Sequence, residues 1–143
     1  MWFVFALLGA VMAAISVTFT KVGLEKVNPT LAFALEAILI LAISWSVVFF
    51  QHAAGEIGKI DKRAWIFLSC AGVATCLSSL FQFNALKQGH APAVSSIDRS
   101  SIIFTVILAS FFLKEKITWQ SLVGAALIIA GAAFISLGRE GGK

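Results

Sequence analysis

Long apolar runs alternate with short polar breaks along the whole chain. A helix that crosses the hydrocarbon core of a bilayer needs about 20 mostly apolar residues. The pattern predicts such helices over approximately 2–20, 30–50, 65–86, 93–113 and 119–137. Lys21 closes the first run, and Asn28-Pro29 marks a turn before the second. The longest polar connection, Gln51 to Ala64, holds Glu56, Lys59, Asp61, Lys62 and Arg63. Gly89 and Pro92 punctuate the break before the fourth run. Lys114 to Thr118 forms a tight turn, with Thr118 placed as N-cap of the last helix. Beyond Gly138 only the tail Arg139 to Lys143 follows. The expected fold is an all-α membrane protein, a single domain over 1–143 built as a bundle of about five transmembrane helices.

Composition strengthens this picture. Hydrophobic residues make up 59% of the 143 and charged residues 13%, against roughly 25% charged in a soluble domain. Most of the surface must therefore face lipid, and the bilayer is the first partner. The formal charge of +4 does not point to nucleic acid, because the basic residues sit between apolar runs as membrane flanks. The N-terminus lacks the basic region of a secretory signal, so the first run is expected to stay as a spanning helix. Cys70 and Cys76 lie six apart, about 120° around a helix, so they cannot bridge within it and read as small packing residues. His52 and His90 stand isolated in connections and read as solvated. No phosphate loop, Ser/His/Asp arrangement or metal-ligand spacing occurs, so no catalytic residues, metal or cofactor are expected, and the chain is not read as an enzyme.

An odd number of spans puts the termini on opposite sides, here named A for the N-terminal and B for the C-terminal side. Side A receives Lys59, Lys62, Arg63, Lys114 and Lys116; side B receives Lys21, Lys26, Lys87, Arg139 and Lys143. Orientation follows the difference between the two sets, and here there is none. Insertion in both orientations would produce such a balance; the alternative is that flank position or the translocation machinery decides. Trp2, Trp45, Trp65 and Trp119 all fall toward side A, whereas aromatic belts usually mark both interfaces.

Polar residues inside a bilayer are costly and usually face a cavity or a partner. Glu36 and Arg99 each lie roughly 9 Å into their helices from side B, at 1.5 Å per residue, and Asp98 adjoins Arg99. Gln82 and Asn84 end the third helix on the same side. Ser95, Ser96, Ser100 and Ser101 crowd the start of the fourth, and Thr18 ends the first. The side A halves carry scattered hydroxyls such as Ser44, Ser46, Ser69, Ser110 and Ser121. This asymmetry suggests a water-filled vestibule opening toward side B. Two readings of Glu36, Asp98 and Arg99 stand open. In one they line a substrate or proton path, with Glu36 as proton carrier because desolvation favours a neutral carboxyl. In the other, Glu36 and Arg99 neutralise each other and brace helices two and four.

Small residues mark candidate packing faces, since they let helix backbones approach closely in lipid. Gly124, Gly131 and Gly138 recur every seven residues and are the best candidates for a dimer seam. Gly9 with Ala13, Ala10 with Ala14, and Ser69, Gly72 and Cys76 form similar stripes, expected to pack within the chain.

The stretch Ala93 to Gly131, with its core Phe112-Leu-Lys-Glu-Lys-Ile-Thr118 followed by Gln120, Gly124 and Gly131, resembles the drug/metabolite transporter superfamily, specifically the EamA-type domain. Lys21-Val-Gly-Leu24 and Pro29 are similar to that family's first connection. The length resembles its short five-helix bacterial and archaeal branch. The resemblance implies one half of an inverted-repeat transporter, in the cytoplasmic (inner) membrane of a prokaryote. It implies a secondary transporter, an exporter of small metabolites or organic compounds, with the substrate path between two domains that open alternately. The partner would be a second copy, in an antiparallel homodimer, or a paralogue in a heterodimer. Glu36, Gln82, Asn84, Asp98 and Arg99 are the substrate-cavity candidates. Glu36, seven after the proline, departs from the pattern, since similar domains often carry a basic residue there. The competing reading is a non-transporting membrane subunit that stabilises or regulates a partner enzyme or lipid-carrier pathway.

Overall fold

A computed structural model of the chain describes residues 1–112 and 118–138. Within them, five helices are long and apolar enough to cross a membrane, as the runs predict. α1 covers Trp2–Gly23, α2 Pro29–Phe50 and α3 Lys62–Gln88. The fourth span, Ala91–Phe112, is divided into α4 (Ala91–Asp98) and α5 (Ser101–Phe112), and α6 covers Trp119–Leu137. A span of 22 residues is about 33 Å long at 1.5 Å per residue, enough for a hydrocarbon core of about 30 Å.

Local chemistry sets the ends. Asn28 is extended, and its side-chain oxygen accepts the Thr30 N–H at 2.9 Å. Pro29 takes the first helical position, where a missing N–H costs nothing. The pair is thus a helix start as well as a turn. Thr118 stands before α6 as expected, but its side chain makes no cap bond; its carbonyl instead accepts from Ser121 and Leu122. α3 begins three residues before its apolar run, because the Asp61 carbonyl accepts the Trp65 N–H at 3.1 Å and carries the helix out past the lipid. Between α2 and α3 the chain turns through His52, at φ 53°, into a 3₁₀ segment, Ala53–Lys59.

The fourth span differs from the uninterrupted helix expected over 93–113. At its middle, Ser100 donates to Ile97 (2.9 Å), Ile102 to Arg99 (3.2 Å) and Ile103 to Ser100 (3.2 Å). These i→i−3 bonds tighten the helix into a 3₁₀ turn, a form that in mid-helix often marks a hinge or strain. Ser and Asp favour this because their side chains compete for backbone groups. Of the turn expected from Lys114 to Thr118, residues 114–117 lie outside the described residues, as does the tail from Arg139.

The chain forms two compact units, one of Met1–Thr18 with Gln88–Lys143 and one of Phe19–Lys87. In the first, α6 packs along α4 and α5, and its buried positions are Ala125 and Ala132, seven apart and hence on one face. Gly124 and Gly131 lie on another face, where an added Cβ would meet nothing within 4 Å. In the second unit Leu24 and Leu86 are each 1% exposed, and buried Phe83 meets Phe33 edge-on at 5.5 Å. Cys70 and Cys76 are exposed free thiols, and α3 is exposed throughout from Lys62 to Ser78. Within its own unit, the stripe of Ser69, Gly72 and Cys76 is exposed.

Candidate functional site

Several hydroxyls within the spans donate to a carbonyl of their own helix. Thr18 donates to Ala14, Ser46 to Ala42, Thr75 to Ala71, Ser96 to Pro92 and Thr105 to Ser101. This is the cheapest arrangement where no water can serve as partner. The bonds of Thr20, Lys21 and Lys87 differ: they cross between helices, and all lie at side B.

Glu36 stands seven residues past Pro29, about 10 Å into α2. It is half-buried, and the Thr20 hydroxyl of α1 donates to its Oε2 at 3.4 Å. Gln82 on α3 is also half-buried. Asn84 is exposed, and its amide donates to the Leu80 carbonyl of its own helix at 2.8 Å. Residues two apart on a helix point about 200° apart, so Gln82 and Asn84 serve different faces, with buried Phe83 between them. Depth alone had grouped them in the sequence; azimuth separates them.

Beside Glu36 lies a feature that sequence reasoning missed. The Lys21 ammonium, at the end of α1, donates to the Leu86 carbonyl at the end of α3. The Lys87 ammonium of α3 donates in return to the Leu24 carbonyl and, at 2.9 Å, to that of Glu25. The last carbonyls of a helix have no partner within it, and a lysine there also complements the helix dipole. Each helix thus caps the other, over the two most buried side chains, Leu24 and Leu86. In the sequence both lysines stand as membrane flanks, and nothing there pairs them with carbonyls more than sixty residues away.

In the other unit, Asp98 closes α4 and Arg99 is its C-cap, at φ −65° and ψ −16°. Both are exposed, while Ser95, Ser96 and Ser100 around them are half-buried. With α4 beginning at Ala91, the break lies roughly 12 Å into the span. Irregular backbone at such depth is tolerated where it lines a water-filled cavity or is covered by protein. Glu36 belongs to the second unit and Arg99 to the first. Chemically, a carboxylate beside a hydroxyl can take a proton or a cationic group, and a guanidinium can hold a carboxylate or phosphate in two parallel hydrogen bonds. Among the described residues no cluster of His, Cys, Asp and Glu could hold a metal ion.

The EamA-like transporter family matches residues 1–137. A Sinorhizobium protein named "Uncharacterized transporter in cobO 3'region" is 35% identical over 136 residues, covering 95% of this chain and 96% of its own. An archaeal protein of Methanocaldococcus jannaschii is 26% identical over 134 residues, 94% of this chain and 95% of its own. A Streptantibioticus cattleyicolor protein named "Probable terminal-alkyne amino-acid exporter" is 34% identical over 89 residues, 59% of this chain and 30% of its own. No solved structure matches the chain. With five spans and a family match over nearly its whole length, this multi-pass integral protein of a prokaryotic inner membrane belongs to the EamA-like transporter family.

Proposed function

We propose that the chain is one half of a secondary transporter that exports small organic metabolites by alternating access, as a homodimer or with a paralogue. The observation that carries this reading is one of length. The chain has nearly the full length of its Sinorhizobium relative, yet it is roughly half as long as the exporter it resembles in part. The exporter's function occupies about two such lengths in one polypeptide, which supports pairing of this domain with a second of its kind. The open face of Gly124 and Gly131 supports a partner chain there, since small residues invite close helix approach in lipid.

The residues proposed to contact substrate are Glu36, Gln82 and Asn84 in the second unit and, separately, Asp98 and Arg99 in the first. A carboxylate and a guanidinium suit a small zwitterion, and the name of the Streptantibioticus relative supports an amino-acid-like compound. The test is flux of labelled amino acids in proteoliposomes under an imposed proton gradient. Glu36→Gln retains an oxygen for the Thr20 hydroxyl but removes the charge, and is expected to abolish proton-driven flux. Unchanged coupling would overturn Glu36 as the proton carrier. Absence of flux for every compound, together with stable co-purification of an enzyme, would favour the non-transporting subunit instead.

A further inference from the structure

The side A end of α2 and α3 holds a groove that the transport reading leaves unused. The last turns of α2, the 3₁₀ segment and the start of α3 border an open groove of about 710 Å³, lined by Trp45, Trp65, Glu56, Lys59, Ile57 and Ile60 among others. That is within the size range of ligand sites, roughly 300–1,000 Å³. Its two indoles sit where a spanning helix meets the headgroup layer, the usual place of tryptophan. Both are about half exposed, Trp45 at 44% and Trp65 at 50%.

Glu56 and Lys59 are three residues apart on a 3₁₀ segment, a spacing that puts them on one side. Neither makes an ion pair or hydrogen bond with another described residue. One carboxylate, one ammonium and two indoles thus line a single groove, and the two charged side chains bond to no other described residue. Next to it, the outer surface of α2 is apolar and open, with Val47 46%, Phe49 64% and Phe50 87% exposed. A ligand that fills this site carries a positive group, a negative group and long apolar chains.

We infer that this groove is a binding site for a zwitterionic, primary-amine phospholipid of the phosphatidylethanolamine class. The lipid ammonium donates to the Glu56 carboxylate and lies against the indole faces, where cations are attracted by the ring quadrupole. The Lys59 ammonium donates to the lipid phosphate. The acyl chains follow Ile57, Ile60 and the open face of α2. The inference stands on the second unit alone and is independent of the transport reading.

Tryptophan quenching tests it. In the full chain carrying Trp2→Phe and Trp119→Phe, Trp45 and Trp65 are the remaining fluorophores. Vesicles would contain phosphatidylethanolamine and phosphatidylglycerol, with bromine on the acyl chains of one or the other at equal mole fraction. Brominated phosphatidylethanolamine is expected to be enriched at these indoles roughly two- to five-fold, the range for exposed charge pairs of up to ~1 kcal/mol. Glu56→Gln and Lys59→Gln should each reduce that excess. Equal quenching by the two lipids in the protein without those changes would overturn the inference, and needs no folding of the variants. Displacement by water-soluble phosphoethanolamine would likewise overturn it, assigning the groove to a solute rather than a lipid.

Discussion

At the scale of single residues, the side chains that matter most are those whose bonds leave their own helix. Lys21→Met should lower the melting temperature in detergent, since a hydrogen bond from a charged donor contributes about 1.5–3 kcal/mol and its loss strands the Leu86 carbonyl. Combining it with Lys87→Met should cost less than the sum of the single changes, because both remove one shared clamp; strict additivity would argue for two unrelated contacts. His52 gives a second prediction. A non-glycine residue at positive φ carries roughly 1–2 kcal/mol of strain, so His52→Gly should raise the melting temperature slightly and His52→Val lower it. Glu36 was legible in the sequence as a costly polar residue in an apolar run. Its Thr20 partner was not, because helical depth can be counted along a chain whereas azimuth across helices cannot.

Among the elements, the spans themselves were the most legible, since twenty apolar residues admit few other fates in a chain this poor in charge. The start of α2 was readable within a residue from Asn28-Pro29 as a turn, whereas the Asn28 cap and the place of Pro29 inside the helix came from the structure. The break in the fourth span was not read. It contains no glycine or proline, and its hydrophobicity continues on both sides; only the crowding of serines around Asp98 hinted that the backbone had competitors. Two outcomes follow from this break. Backbone amides from Ser100 to Ile103 should exchange with solvent faster than those in the middle of α5, as measured by hydrogen–deuterium exchange in lipid discs. Replacing Ser100 and Ser101 with alanine, the best helix former, should slow that exchange and reduce transport while leaving the protein folded. Exchange unchanged by the replacement would separate the serines from the break.

For the whole molecule, the balance of basic residues between the two sides and the open glycine face of α6 bear on how copies assemble. Cysteines introduced singly at Gly124 and Gly138 should cross-link to each other in an antiparallel pair, with no bridge between two Gly138 positions; the reverse result would favour a parallel pair. A reporter fused to the C-terminus should then signal from both sides of the membrane. The lysine clamp bears on how one copy comes to exist at all. Lys21 leaves the ribosome 65 residues ahead of the carbonyl it caps, and Lys87 arrives 63 residues after its own partner. Until the third span has entered the bilayer, the first therefore lacks these caps and the ammonium of Lys21 lacks that acceptor. A chain arrested after α2 should be degraded faster than one arrested after α3, and the membrane's quality control would read that difference as the first sign that insertion has succeeded.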